Sequence, residues 1–243
     1  MDFTTNGIVL SVRRHGETSA IVHVLTPDKG LHAGLVHGGV GRKMRPVLQA
    51  GNIVACTWRA RLSEHLGTFT IEPISARAAQ LMDERLSLSA LNAACAITLA
   101  VMPEREPHQD VYDAFEIMLS HMDNPDIWPA LYVRWEMGLL AAMGYGLDLS
   151  RCAVSGRNDA LTHVSPRTGR AVSASEAEPY LDKLLALPQF LRAPGAIMMG
   201  GDVEAGLKLT GHFIQSRILW PSNKQLPQAR ERMIARLGAE GRL

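Results

Sequence analysis

Three glycines and three fixed cations fall within ten residues at His37-Gly38-Gly39-Val40-Gly41-Arg42-Lys43-Met44-Arg45-Pro46. Glycine lets a backbone turn through positive φ and come close to a ligand. Arginine and lysine bring charge and hydrogen-bond donors suited to phosphate. The chemistry this combination can do is the holding of a phosphate or a phosphodiester strand, with no bond made or broken. A solvated hairpin connection has the same composition, and from these residues alone both readings stand. The strand-to-helix setting and the Gly-Lys-Ser/Thr ending of a nucleotide loop are missing. That favours a mobile clamp on a nucleic-acid strand over a nucleotide pocket.

Other cations could join this loop. Arg13 and Arg14 close the first apolar run, and Arg59 and Arg61 share one face of a later run at period two. Gathered on one side of a β scaffold, Arg13, Arg14, Arg42, Lys43, Arg45, Arg59 and Arg61 would make a groove of positive potential for a phosphate backbone. The alternative is ordinary surface charge, and Lys29 and Arg77 are read that way. Phe69 and Trp58 are the only aromatics in the later strand runs, and Trp58 reads as core. The expectation is electrostatic backbone binding with little base stacking or sequence readout.

Nothing points to catalysis. GxSxG, Walker A and HExxH motifs are absent, and no two of the nine histidines lie four residues apart on a helical run. The acids of the middle region read as a solvated helical face. The chain is expected to be no enzyme and to need no cofactor. Cys152 opens a polar, knuckle-like segment, but a four-cysteine zinc site needs a C-x2-C pair at each end. The corresponding positions are Cys152 with Ser155 and Ser173 with Glu176. One thiolate and two hydroxyls do not hold a structural zinc, so no metal is expected. Three widely spaced cysteines and no apparent signal peptide fit a reducing cytoplasm.

The elements that must position these residues are of two kinds. Gly7–Val12, Ser19–Leu25, Leu31–Val36, Asn52–Leu62 and Gly67–Ile74 read as short strands with glycine-rich turns. Five such strands predict a small closed barrel of the OB type over residues 1–77. Beyond it the period changes to helical. Helices are predicted at Ala78–Met102, Asp110–Met122, Ile127–Met143, Ser175–Leu185, Glu204–Leu219 and Gln228–Leu237. The predicted class is α+β multi-domain: an N-terminal five-stranded OB-fold barrel, then an all-α C-terminal domain (78–243) with a degenerate zinc-knuckle-like insertion at 150–175. Net charge follows a related division: +4 over residues 1–77, −8 over 78–150 and +5 over 151–243. The overall +1 hides this alternation.

Several of these stretches together resemble a known family. Gly7-Ile8-Val9-Leu10, Gly16-Glu17-Thr18-Ser19, Thr26-Pro27-Asp28-Lys29-Gly30 and the Gly38-Gly39…Arg42 loop are similar to the start of the bacterial RecO family of DNA repair proteins. Tyr132–Gly146 with Leu147–Cys152 is similar to that family's helix and the approach to its zinc segment. Val164–Ser173 resembles its Phe-Ser-Pro-x-x-Gly-Gly-x-x-Cys motif, with Ser173 where zinc-bearing members have cysteine. Gln215-Ser216-Arg217 resembles its late Ser-Arg motif. The resemblance implies a recombination mediator that binds single- and double-stranded DNA and anneals complementary strands. It implies as partners RecR, the acidic tail of single-stranded-DNA-binding protein (SSB) and, indirectly, RecA. One guess for the tail site is Leu131, Arg134 and Trp135, a cation beside apolar residues. An adaptor that mainly binds protein, with DNA secondary, is the alternative.

Overall fold

The computed structural model describes residues 1–62, 65–192 and 199–243. Five strands open the chain: β1 (Asp2–His15), β2 (Ser19–Thr26), β3 (Gly30–Val36), β4 (Ile53–Arg59) and β5 (Thr68–Ser75). They are hydrogen-bonded in the order β1-β2-β3-β5-β4, and β4 returns to β1 to close a barrel. β3 and β5 meet in parallel at Leu35 and Thr68, and the other neighbours are antiparallel.

β1 runs well past both ends of the predicted Gly7–Val12. Its first half pairs with β4, from Asp2↔Arg59 to Ile8↔Ile53, and its second with β2, from Ile8↔Leu25 to His15↔Ser19. Only Gly7–Leu10 is buried throughout, so only that stretch carries an apolar signature. Val22, Val24, Val54, Cys56, Trp58 and Phe69 point into the core. Trp58 is core, as its sequence setting implied: its Nε1 donates to the carbonyls of Ala33 (3.1 Å) and Leu66 (3.2 Å).

The glycine-rich connection differs from the expected mobile clamp. Residues 38–48 form a compact run of turns in which Met44 N and Arg45 N donate to Gly41 O, and Leu48 N donates to Met44 O. Leu48 is buried, and Val40, Met44 and Val47 pack on the barrel core. The apolar residues between the cations anchor the turn and leave the cations outside. Asn52 secures its far end: Nδ2 donates to the Pro46 and Val47 carbonyls, and Oδ1 accepts from Ala78 N.

Three helices follow: α1 (Arg77–Gln80), α2 (Arg85–Val101) and α3 (Gln109–Ser120). The single helix predicted over 78–102 is thus broken at residues 81–84. Asp83 and Glu84 fall just before α2, where acids complement a helix N-terminus. By compactness the chain forms two units, Met1–Pro125 with Pro227–Met233, and Asp126–Leu226 with Ile234–Leu243.

The second unit contains α4 (Trp128–Ala142), β6 (Leu161–Val164), β7 (Ala171–Ser173), α5 (Ala174–Ala177), β8 (Leu185–Ala186) and α6 (Asp202–Phe213). α7 (Gln228–Ala239) contributes residues to both units. The expectation of an all-α region is corrected by the three-stranded sheet β7-β6-β8. Its strands span only two to four residues, too short for alternation to show. The predicted helix Ser175–Leu185 shrinks to α5 and a 3-10 turn, interrupted at Tyr180 (φ −133°) after Pro179. α6 packs on α4 where Gly206 leaves no room for a Cβ, which would lie 2.8 Å from Val133 Cγ1. Beside it, Thr210 Oγ1 donates to the fully buried Glu136 carboxylate at 2.5 Å. No helix among the described residues is long and apolar enough to cross a membrane.

Candidate nucleic-acid interface

Six of the seven cations singled out in the barrel region fall into two groups, and a register irregularity in β1 decides which group takes Arg13 and which takes Arg14. Val9 pairs with Val24, but Ser11 pairs with His23, so one extra residue bulges between them. A bulge reverses the inside–outside alternation beyond it. Arg14 then pairs with core-facing Ala20 and takes the inner parity, while Arg13 pairs with Ile21 and faces out. The sequence placed the two side by side; the sheet sends them to opposite faces.

Arg14 and Arg45 line one cavity of about 600 Å³, with Val12, Gly39, Val40 and Gln49 among its walls. Arg14 Nε donates to Gly16 O and Nη2 to Glu17 O, each at 3.2 Å, which fixes the guanidinium at the β1–β2 hairpin. The turn reaches this hairpin through Val40 N, which donates to Thr18 O. Gly39 is needed there because a Cβ would sit 2.8 Å from that of Ala20. Arg42 and Lys43 are exposed on the same turn. The first group is therefore Arg14, Arg42, Lys43 and Arg45.

Arg13 and Arg59 end a transverse row of outward residues across four strand steps, Arg13↔Ile21↔Leu35↔Thr68↔Arg59. At about 4.8 Å per step the row spans roughly 19 Å along the sheet. Arg61 was expected on the Arg59 strand face, but β4 stops at Arg59 and Arg61 lies in a bend beyond it. Among the described residues, none of Arg13, Arg42, Lys43, Arg45, Arg59 and Arg61 is ion-paired with a carboxylate.

Sequence reasoning missed a ring cluster at the start of β1. Phe3 stacks on Trp58 (5.5 Å between centroids, 17° between planes), and His32 meets both edge-on at 4.8 and 5.2 Å. Arg105 comes from the segment after α2 and places its guanidinium 6.0 Å over the Trp58 ring. These residues, with Met1, Asp2, Asp28 and Lys29, surround a cavity of about 460 Å³. Burial, and then the Arg105 charge, lower the pKa of His32 and keep its ring neutral. Phe3 pairs with Trp58 only when β4 returns to β1 to close the barrel, so neither Phe3 nor Arg105 carried a local signal.

In the second unit the guessed tail site does not assemble. Trp135 is 1% exposed within the core, while Arg134 is exposed and already engaged. Arg134 Nη2 donates to Phe190 O at 2.7 Å, and its guanidinium lies 5.9 Å from the Phe190 ring. Leu131 is half-buried on the same helix. Of the four knuckle-like positions, Ser155 and Ser173 meet Cys152. Its Sγ accepts hydrogen bonds from Ser155 N (3.5 Å), Ser173 N (3.3 Å) and Ser173 Oγ (3.4 Å). Desolvation pushes this thiol up, but the Ser155 and Ser173 donors outweigh it and hold the pKa at about 6. Cys56 and Cys95, by contrast, are pushed up to about 12 by burial. Among the described residues no group of three or more His, Cys, Asp or Glu could hold a metal ion. Arg217 donates to the Arg167 carbonyl, so the late Ser-Arg motif braces the Ser165–Gly169 turn.

Comparison with known proteins bears on the barrel and the helical region alike. The family model described as "Recombination protein O N terminal" matches residues 1–77, and "Recombination protein O C terminal" matches 82–227. The DNA repair protein RecO of Phenylobacterium zucineum (strain HLK1) is 50% identical over 243 residues, covering all of both chains. Those of Hyphomonas neptunium (48%, 98% of both chains) and Caulobacter vibrioides (45%, all of both chains) are similar over the same extent. A two-part protein of DNA repair and recombination is the class these matches define. The chain belongs to the RecO family.

Proposed function

We propose that this chain is a non-catalytic recombination mediator. It binds single- and double-stranded DNA through a barrel domain at 1–77, anneals complementary strands, and helps load recombinase onto SSB-coated DNA in the cytoplasm, at the nucleoid. The strand order β1-β2-β3-β5-β4 supports reading the domain as an OB-fold, a class that binds oligonucleotides on its β2–β3 face with the loops after β1 and β4. Arg13 and Arg14 precede the first of those loops, Arg59 ends the strand before the second, and Arg61 lies within it. The segment around Cys152 is read as a zinc knuckle that has lost its metal. The helical region would receive the SSB tail and RecR, and through them act on RecA, as the family resemblance implies.

The observation that carries this reading is the ordered basic turn. Arg42, Lys43 and Arg45 stand on a turn fixed to the core, Arg45 shares a cavity with Arg14, and Arg42, Lys43 and Arg45 have no carboxylate partner among the described residues. Like charges held together repel, and a phosphate backbone relieves that repulsion while releasing counterions. Annealing then follows from charge alone, because two shielded strands repel each other less.

The test is single-stranded-DNA affinity across a salt series. Each phosphate contact contributes about 0.7 to the slope of log K against log salt for single strands. The Arg42→Ala/Lys43→Ala/Arg45→Ala triple variant should bind all sequences more weakly to the same degree and lose roughly 2 from that slope. An unchanged slope removes the turn from the interface.

A further inference from the structure

We infer that the cavity walled by Phe3, His32 and Trp58 is a subsite for one unpaired nucleobase of a bound DNA strand. The inference rests on the DNA-binding reading and extends it to a cavity beside Arg59. It also departs from backbone-only binding, the expectation drawn from the scarcity of aromatics in the strand runs.

The cavity is assembled from distant parts of the chain. Its walls come from the start of β1, the β2–β3 turn, β3, β4 and the segment at 103–107. At about 460 Å³ it falls inside the range of roughly 300–1,000 Å³ typical of small-ligand sites. The 103–107 segment is drawn onto β3 by a hydrogen bond from Arg105 N to Leu31 O at 2.8 Å. Arg105 adopts φ 65°, a left-handed conformation that side-chain-bearing residues rarely take. That strain persists because the segment is held in place, and it sets the guanidinium over Trp58.

The polar groups indicate the chemistry of the ligand. His32 is 6% exposed; the Gly30 and Lys29 backbone acts on its ring, but its Nδ1 makes no hydrogen bond of good geometry. A buried polar atom left unmatched is costly, and a ligand that bonds to it recovers the loss. Because the ring is neutral, it offers a hydrogen bond without a charge. Asp2 and Asp28 line the same cavity, with Asp28 paired to Lys29 at 3.2 Å. Those carboxylates oppose a phosphate or an acidic peptide. They suit a flat, neutral ring with donors on its edge, which describes a nucleobase. Half-buried Phe3, backed by the stacked Trp58 ring, provides the apolar surface that a base seeks, and base–aromatic stacking tolerates any sequence. Asp2 pairs with Arg59 across β1 and β4, so a strand whose phosphates follow Arg59 passes beside the cavity.

Fluorescence anisotropy with two oligomers separates the possibilities: an oligothymidylate, and an abasic oligomer of equal length and charge. The full chain should prefer the thymidine oligomer by about 5- to 150-fold, the range of one base–aromatic contact. His32→Ala and, independently, Phe3→Leu should remove that preference while leaving affinity for the abasic oligomer unchanged, and that retained affinity shows that each variant is folded. Arg42→Ala should weaken both oligomers alike. Equal affinity of the unmodified chain for the two oligomers overturns the inference and leaves the electrostatic reading intact. Binding of neither overturns the DNA-binding reading itself. A preference that survives both wall variants places the base elsewhere and also overturns the inference.

Discussion

Replacing Gly30 with alanine tests whether the segment after α2 is locked onto the barrel. Gly30 has φ 73°, and a Cβ there would stand 2.1 Å from Glu106 O and 2.5 Å from Glu106 C. Both are backbone atoms, so no side-chain rotation relieves the overlap. Left-handed φ costs alanine about 1–2 kcal/mol, and forced displacement of packed structure about 1–3 kcal/mol more. The expected loss is therefore about 2–5 kcal/mol. Gly16 is the control: its φ is 64°, but nothing lies within 4 Å of its Cβ position. Gly16→Ala should show only the backbone cost of about 1–2 kcal/mol, and the entropy that alanine removes from the unfolded chain cancels between the two variants. Hydrogen exchange of β2 and β3 amides in a urea series reports the barrel apart from the second unit. With a urea slope of about 1–3 kcal/mol per molar, the extra contact should move the Gly30→Ala transition roughly 1 M below that of Gly16→Ala. If the two variants lose the same stability, the Glu106 contact does not hold the segment, and the account of how Arg105 reaches Trp58 fails with it.

Leu48→Ala should destabilise the chain by about 3–5 kcal/mol, because the turn's main anchor leaves a cavity in the barrel core; a denaturation loss below about 1 kcal/mol would mean the turn is not a plug. Arg14→Ala and Arg45→Ala should be non-additive in DNA affinity, since the two line one cavity, whereas Arg13→Ala and Arg45→Ala should add. Double-mutant cycles check this, and additivity in both pairs would contradict the inward turn of Arg14. The Cys152 thiol is held at about 6 in the fold, below its ordinary value of 9.0. A depressed folded pKa means the thiolate contributes stability that is fully present above about pH 9 and is lost as pH falls through about 6. Melting temperature followed over that range should drop toward acid more steeply for the unmodified chain than for Cys152→Ala; parallel curves would show that the Ser155 and Ser173 donors do not stabilise a thiolate.

Much of this was written locally. β2 carries its alternation in Val22 and Val24, and β4 in Val54, Cys56 and Trp58, because one face of each strand meets a core. α3 and α4 show their buried faces for the same reason. The basic turn was visible from composition alone, and so was the mismatch of Ser173 with a zinc ligand. The order and spacing of short motifs were enough to indicate the family. What could not be read was anything that depends on a partner strand or segment. Arg13 and Arg14 would take opposite faces on any strand, but the Val9–Ser11 bulge decides which of them turns inward, and a bulge is defined only by the strand opposite. The turn at 38–48 is anchored because Leu48 finds a barrel core to enter, which its flanking glycines do not announce. Trp135 is lost to the core although its helix offered it beside Arg134. Arg105 lies between prolines that mark a break, and only the docking of its segment on β3, at Leu31 and Gly30, brings it to Phe3, His32 and Trp58. Residue type and period determined which elements form and where charge concentrates. Closure of the sheet and docking of distant segments decided which side chains share a site, because that proximity is a property of the closed chain and not of any stretch within it.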